Sequence, residues 1–245
     1  MKSIKERIEA LRLRFTTPAS AEEKPLSPEQ CSKKEKEIYL LGEAFLVNEL
    51  AGHIDKAYGL SLARTTRSGV SFGICQWDII HNKEGEALLR KHIPSHIMDL
   101  LMQVRGNPSS PFQNPFEHLR VDAGLYTAVQ TAHSIISTTP AVLADIRAAD
   151  RRRLTALVDQ VYALFPEGHN TPTGAVVHLA DMANQFGPFK KKGSTLAWYR
   201  KEGWSSWGFL QFKLQTKHGK GFPKDVERRW RNIEQILDKD NCTKE

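Results

Sequence analysis

Apolar residues recur at three- and four-residue intervals along most of this chain, and no alternation of period two runs beyond a few residues. That pattern predicts a mostly α protein. The first strong stripe covers 35–50, with Ile38, Leu41, Phe45 and Leu46 on one face and Gly52 as a stop. Further helices are expected over 84–92 and 95–104, separated by Pro94, and then over 122–137, 140–149 and 150–165. Asp122, Thr139 and Asp150 stand where N-caps belong. Residues 105–117 hold Gly106, Pro108, Pro111 and Pro115 and read as an irregular loop. A helix opening after Thr171-Pro172 runs to Phe186, and a last one covers 222–237 through Val226, Trp230, Ile233 and Leu237. At the N-terminus, Ile4, Ile8, Leu11 and Phe15 mark one face of a short basic helix, and the Pro- and Ser-containing segment behind it reads as a linker.

The segment that breaks this helical pattern is Ser68-Gly69-Val70-Ser71-Phe72-Gly73-Ile74-Cys75-Gln76-Trp77-Asp78. It admits two readings. Gly69-Val70-Ser71-Phe72-Gly73 fits G-x-S-x-G, the sharp turn that exposes a nucleophilic serine. Such an elbow is fed by a buried strand, whereas the residues ahead of this one include Arg64 and Arg67. The other reading joins the segment to Glu49, which the 35–50 stripe places in the last turn of a core helix. A helix C-terminus carries partial negative charge and favours the protonated form of a nearby carboxyl, as a general acid requires.

Glu49 followed by a polar loop and Gly73-Ile74-Cys75-Gln76-Trp77-Asp78 resembles goose-type lysozymes and soluble lytic transglycosylases of the lysozyme-like superfamily, over about residues 35–82. The resemblance implies a mostly α, lysozyme-like domain with a small irregular or β-like cleft segment, cleaving the glycan strands of peptidoglycan. It makes Glu49 the general acid, Gln76 a ligand of substrate N-acetyl groups and Asp78 the acidic residue beside the cleft. Ser71 stands where phage lysozymes place a hydroxyl near the sugar, and Gly73, which opens the turn, is with it expected among the substrate-binding residues. The sequence departs from the pattern in having Cys75 before Gln76, a longer loop, and no match for the goose-type family's other loop acid between Tyr58 and Gly69. Hydrolysis and single-acid transglycosylation therefore stay open, as do related chitinase- or chitosanase-type activities.

Downstream, Asn184 and Gln185 at a helix end, with Trp204 among Trp198, Tyr199 and Trp207, offer amide donors and acceptors and aromatic faces suited to sugars. On this reading 1–33 form a basic helix and linker, and 34–240 the catalytic domain.

Composition changes the picture little. The chain has 245 residues, 40% hydrophobic content and a formal charge of +7, and no stretch approaches the roughly 20 apolar residues of a membrane span. Its charge suits an anionic polymer, either cell wall or nucleic acid. Lys190-Lys191-Lys192 and Arg151-Arg152-Arg153 could bind phosphates in a nucleic-acid or virion structural protein, but no helix-turn-helix or Gly-rich phosphate loop accompanies them, so nucleic acid is not the expected partner. His92 and His96 lie four apart with Pro94 between them and no Glu after His92, so no metal is expected, and no cofactor. Three widely spaced cysteines argue against a disulfide framework. With no secretory signal pattern, the expectation is synthesis in the cytoplasm and action on the wall after release, through a holin-type lesion or a secretion apparatus.

Overall fold

A computed structural model describes residues 33–165, 170–186 and 205–241 of the protein. The expected N-terminal arm lies outside these residues, as does Trp204. Among them the fold is mostly α. The helices are α1 (Lys33–Leu50), α2 (Lys83–Arg90), α3 (Ser95–Leu101), α4 (Ala123–Thr138), α5 (Pro140–Tyr162), α6 (Thr173–Phe186), α7 (Ser206–Gln215), α8 (Lys217–Gly221) and α9 (Pro223–Asn241). Short 3-10 helices cover Ile54–Tyr58 and Glu117–Val121. The segment that broke the helical pattern supplies two strands of a small antiparallel sheet, whose order is β1 (Ser61–Leu62), β2 (Val70–Phe72), β3 (Trp77–Asp78), with β1 lying ahead of that segment.

The chain divides into two compact units. The unit of residues 49–150 is built on the sheet and α2 to α4. Phe72, Ile74 and Ile79 from the sheet region, Leu89 of α2, Met98 and Leu101 of α3 and Ile136 of α4 are fully buried there. Asp122 caps α4 as expected, its side chain accepting from the Leu125 N–H at 3.0 Å.

The second unit combines 33–48 with the described residues from 151 onward. Its core joins Leu41 and Phe45 of α1, Val158 and Val161 of α5, Val176 and Val177 of α6, Phe209 of α7 and Val226 of α9. A charged group lies within it. Asp181 accepts from the guanidinium of Arg229 at 2.5 Å and 3.3 Å, and Lys213 lies 3.5 Å away. Burial opposes ionisation of Asp181, but the two cations outweigh it and hold the carboxyl below its ordinary value.

The expected break between 149 and 150 does not exist. α5 runs unbroken through Asp150, which stands mid-helix. An Asp reads as a helix start because its carboxylate usually caps free N–H groups, but here the carboxylate is occupied by donors outside its own helix. α7 and α8 carry weak apolar periodicity and were not expected. Each opens on a hydroxyl cap, Ser205 accepting from the Gly208 N–H and Thr216 from the Gly219 N–H, both at 3.0 Å.

Candidate active site

α1 buries Ile38, Leu41 and Phe45 on its inner face, and the same spacing brings Glu49 into its last turn, half-buried beside the buried Leu50. The helix stops abruptly. Ala51 and Gly52 both take left-handed backbone, with φ of 52° and 79°. Glycine adopts this conformation without penalty, whereas an alanine there costs about 1 kcal/mol or more. The His53 N–H then donates to the Leu50 carbonyl at 3.0 Å and the chain enters the 3-10 helix Ile54–Tyr58.

The Gly-Ile-Cys-Gln turn is tied to that helix and to α5. The Gly73 N–H donates to the Ala57 carbonyl at 2.9 Å. Gly73 has a φ of +73°, and a Cβ on it would lie 2.8 Å from Asp150 Oδ1, so both backbone and space exclude a side chain. Asp150 is fully buried and accepts three hydrogen bonds: from the Ile74 N–H at 3.0 Å, the Cys75 N–H at 3.2 Å and the Trp77 indole N–H at 2.8 Å. Burial pushes its carboxyl above the ordinary value, and these bonds pull it part of the way back. Gln76, at φ 50°, closes the turn. Its amide N–H donates to the Gly73 carbonyl at 2.9 Å, and its carbonyl accepts from the Ser61 hydroxyl at 2.8 Å.

The sheet register sorts the side chains by face. Ser61 pairs with Ser71 and Ser71 with Asp78, which puts three polar residues side by side. The alternate positions Leu62, Val70, Phe72 and Trp77 are buried. Asp78 Oδ1 accepts from the Ile80 N–H at 2.9 Å and the Gly69 N–H at 3.3 Å, so this carboxylate shapes the end of the sheet. Ser71 is the middle residue of β2, 8% exposed and without the left-handed backbone or strand-to-helix turn of a nucleophile elbow. The G-x-S-x-G match is thus fortuitous. Gly69 is a glycine for another reason, since a Cβ there would meet Ile80 Cγ1 at 2.2 Å.

Ser71, Gly73, Gln76 and Asp78 are therefore brought together in one small assembly. Asn184 and Gln185 end α6 in the other unit, where Asn184 accepts from Arg153 at 3.5 Å and the Gln185 side-chain carbonyl oxygen is buried without a partner among the described residues. His92 hydrogen-bonds Asp145 at 2.8 Å, and among the described residues no group of three or more His, Cys, Asp or Glu gathers as metal ligands. Two members of the assembly went unrecognised in the sequence. Ser61 carried no signal, lying in a strand of two residues. Asp150 did: it occupies the buried stripe Val142, Ile146, Asp150, Leu154, Leu157, Val161, and an acid on such a stripe marks an internal hydrogen-bond acceptor. In comparisons with known proteins the chain matches no family model, no curated protein and no solved structure.

Proposed function

We propose that this protein cleaves the glycan strands of peptidoglycan, as a muramidase or lytic transglycosylase of lysozyme-like type, with Glu49 as the general acid. One observation carries the reading. Among the described residues, the two non-glycine positions with left-handed backbone are Ala51, just after Glu49, and Gln76, in the Gly-x-x-Gln turn. Strain of this kind persists where the surroundings enforce it, and it concentrates at functional sites. Here it falls on the two ends of the constellation that the sequence pattern singles out.

The chemistry follows from the groups available. Glu49 would give its proton to the glycosidic oxygen as the bond to the departing sugar breaks. Gln76 spends one N–H and one lone pair on Gly73 and Ser61, which fixes the amide plane and leaves a second N–H and a second lone pair for a substrate N-acetyl group. Asp78 commits Oδ1 to the backbone, so Oδ2 would face the positive charge developing on the sugar. With no carboxylate between Tyr58 and Gly69 to activate water, transglycosylation by Glu49 alone is the preferred route.

Digestion of purified sacculi with mass analysis of the fragments tests this. Wild type should release glycan fragments, anhydro ends marking transglycosylation and reducing ends hydrolysis. Glu49→Gln should lose about a hundredfold or more while remaining folded. Intact sacculi after wild-type treatment, or full activity in a folded Glu49→Gln variant, would overturn the proposal.

A further inference from the structure

Arg147 stands on α5 in the unit of residues 49–150, one turn before Asp150. Its guanidinium carbon lies over the Tyr58 ring, 5.0 Å from the centre. Tyr58 closes the 3-10 helix that follows Glu49, and its neighbour Ala57 accepts the Gly73 N–H at 2.9 Å. Asp150 holds the same turn through the N–H groups of Ile74 and Cys75. Arg147 is thus placed beside the segment that joins Glu49 to the Gly-x-x-Gln turn.

The charge of Arg147 is not matched by the protein. The residue is half-buried, its Nε is shut off from solvent without a hydrogen-bond partner, and it makes no ion pair among the described residues. The carboxylates nearest to it along α5 are spent elsewhere. Asp145 pairs with Lys91 at 2.6 Å and His92 at 2.8 Å, and Asp150 accepts its three N–H groups from the turn. A shielded cation is ordinarily paired, because the hydration it gives up is recovered only from a counter-charge. The Tyr58 ring steadies the guanidinium but uses none of its N–H donors.

We infer that Arg147 binds a carboxylate of the stem peptide carried by the glycan, and so selects peptide-bearing strands. This rests on the glycan-cleavage reading and adds a specificity determinant to that site. A planar guanidinium fork matches a carboxylate in two parallel hydrogen bonds. The sugar rings and N-acetyl groups of the strand are neutral and its lactyl groups are bound as amides, so its carboxylates sit on the peptide. The Tyr58 contact already holds the guanidinium, which reduces the freedom lost when the pair forms. Phosphates of wall polymers offer the fork a similar partner, and the experiment separates the two.

Cleavage kinetics of the full chain test it, on soluble peptide-bearing strands freed of phosphate polymers and on the same strands with their peptide carboxylates converted to methylamides. Wild type should show a KM about tenfold lower on the carboxylate form at equal kcat, as expected for one charge-assisted pair at a half-buried site. Arg147→Gln should raise KM on that form about tenfold and bring the two substrates level. Arg147→Lys keeps the charge without the fork and should retain a preference of about threefold. Circular dichroism checks that both variants fold, and the wild-type comparison needs no variant. Equal KM values for wild type on the two substrates, or a loss in Arg147→Gln that is the same on both, would overturn the inference and leave glycan cleavage standing. A KM that falls only on strands still carrying phosphate polymers would assign the fork to phosphate and overturn it too. Failure of wild type to cleave either substrate would overturn the cleavage reading and this inference with it.

Discussion

Replacing Asp150 with alanine tests whether one buried carboxylate organises the Gly-Ile-Cys-Gln turn. Its removal strands three buried donors, the N–H groups of Ile74 and Cys75 and the indole N–H of Trp77. Each unsatisfied donor costs about 1–3 kcal/mol, which sets an upper range of about 3–9 kcal/mol. Two effects reduce it: the native carboxyl is itself disfavoured by burial, and water can enter the vacated space and serve one or two donors. A loss of about 3–4 kcal/mol is expected, a large fraction of the roughly 5–15 kcal/mol that stabilises a domain. Asp150→Asn keeps one acceptor but turns an amide N–H toward a donor, and should lose about 2 kcal/mol. Urea unfolding followed by circular dichroism measures the loss, and hydrogen exchange of the peptide spanning 70–80 localises it. Ile74 and Cys75 should exchange slowly in wild type and quickly in Asp150→Ala. A loss under about 1 kcal/mol with unchanged protection of those two amides would refute the reasoning.

Gly73→Ala should destabilise by about 2–4 kcal/mol, because it combines left-handed backbone with a Cβ driven into the Asp150 carboxylate; thermal melts measure it, and a stable, active variant would contradict the geometry. Asp78→Asn retains an oxygen for the Gly69 and Ile80 N–H groups and should fold normally, while Asp78→Ala should lose about 1–2 kcal/mol. Reduced glycan cleavage in the folded Asn variant would show that the charge itself is used. Glu49→Gln should change stability by less than about 0.5 kcal/mol, since a half-buried helix-end side chain keeps its shape; a clear drop in melting temperature would give Glu49 a structural role. For pH, the folded Asp150 carboxyl titrates above its unfolded value of about 3.9, so between the two the folded state holds a proton that the unfolded state has released. Stability from this group is complete below that value and falls as pH rises through the folded pKa. Denaturation curves should therefore show the wild-type advantage over Asp150→Asn shrinking from acid toward neutral pH, and a growing advantage would reverse the assignment.

The sequence was most informative where one physical signal dominated. α1 was legible from Ile38, Leu41 and Phe45, and its end from Gly52, because burial and helix termination both leave marks in residue type. Asp122 was a correct cap, and the mostly α character followed from periodicity. The sheet was legible only as an interruption, since strands of two or three residues are too short to display alternation. Asp150 misled because its local preference for capping competes with a tertiary demand, three donors arriving from the turn. α7 and α8 were obscured by glycines, lysines and an exposed Trp207, whose helical state comes from hydroxyl caps and from packing between α7, α8 and α9.

Asp150 grips Ile74 and Cys75 through main-chain N–H groups, and this has a bearing on which residues the turn can accept. A contact made to the backbone is blind to side-chain identity. The two central positions of Gly-Ile-Cys-Gln need only fill the apolar space around them, while Gly73, Gln76 and Asp150 are held to their types by conformation and hydrogen bonding. Cysteine can accordingly stand where the resembling enzymes carry methionine, with its sulfur buried 3.8 Å from the Asp150 carbonyl. Relatives of this protein are therefore better sought by a glycine, a glutamine three residues on and a distant acid set into an apolar helical stripe than by the letters between them.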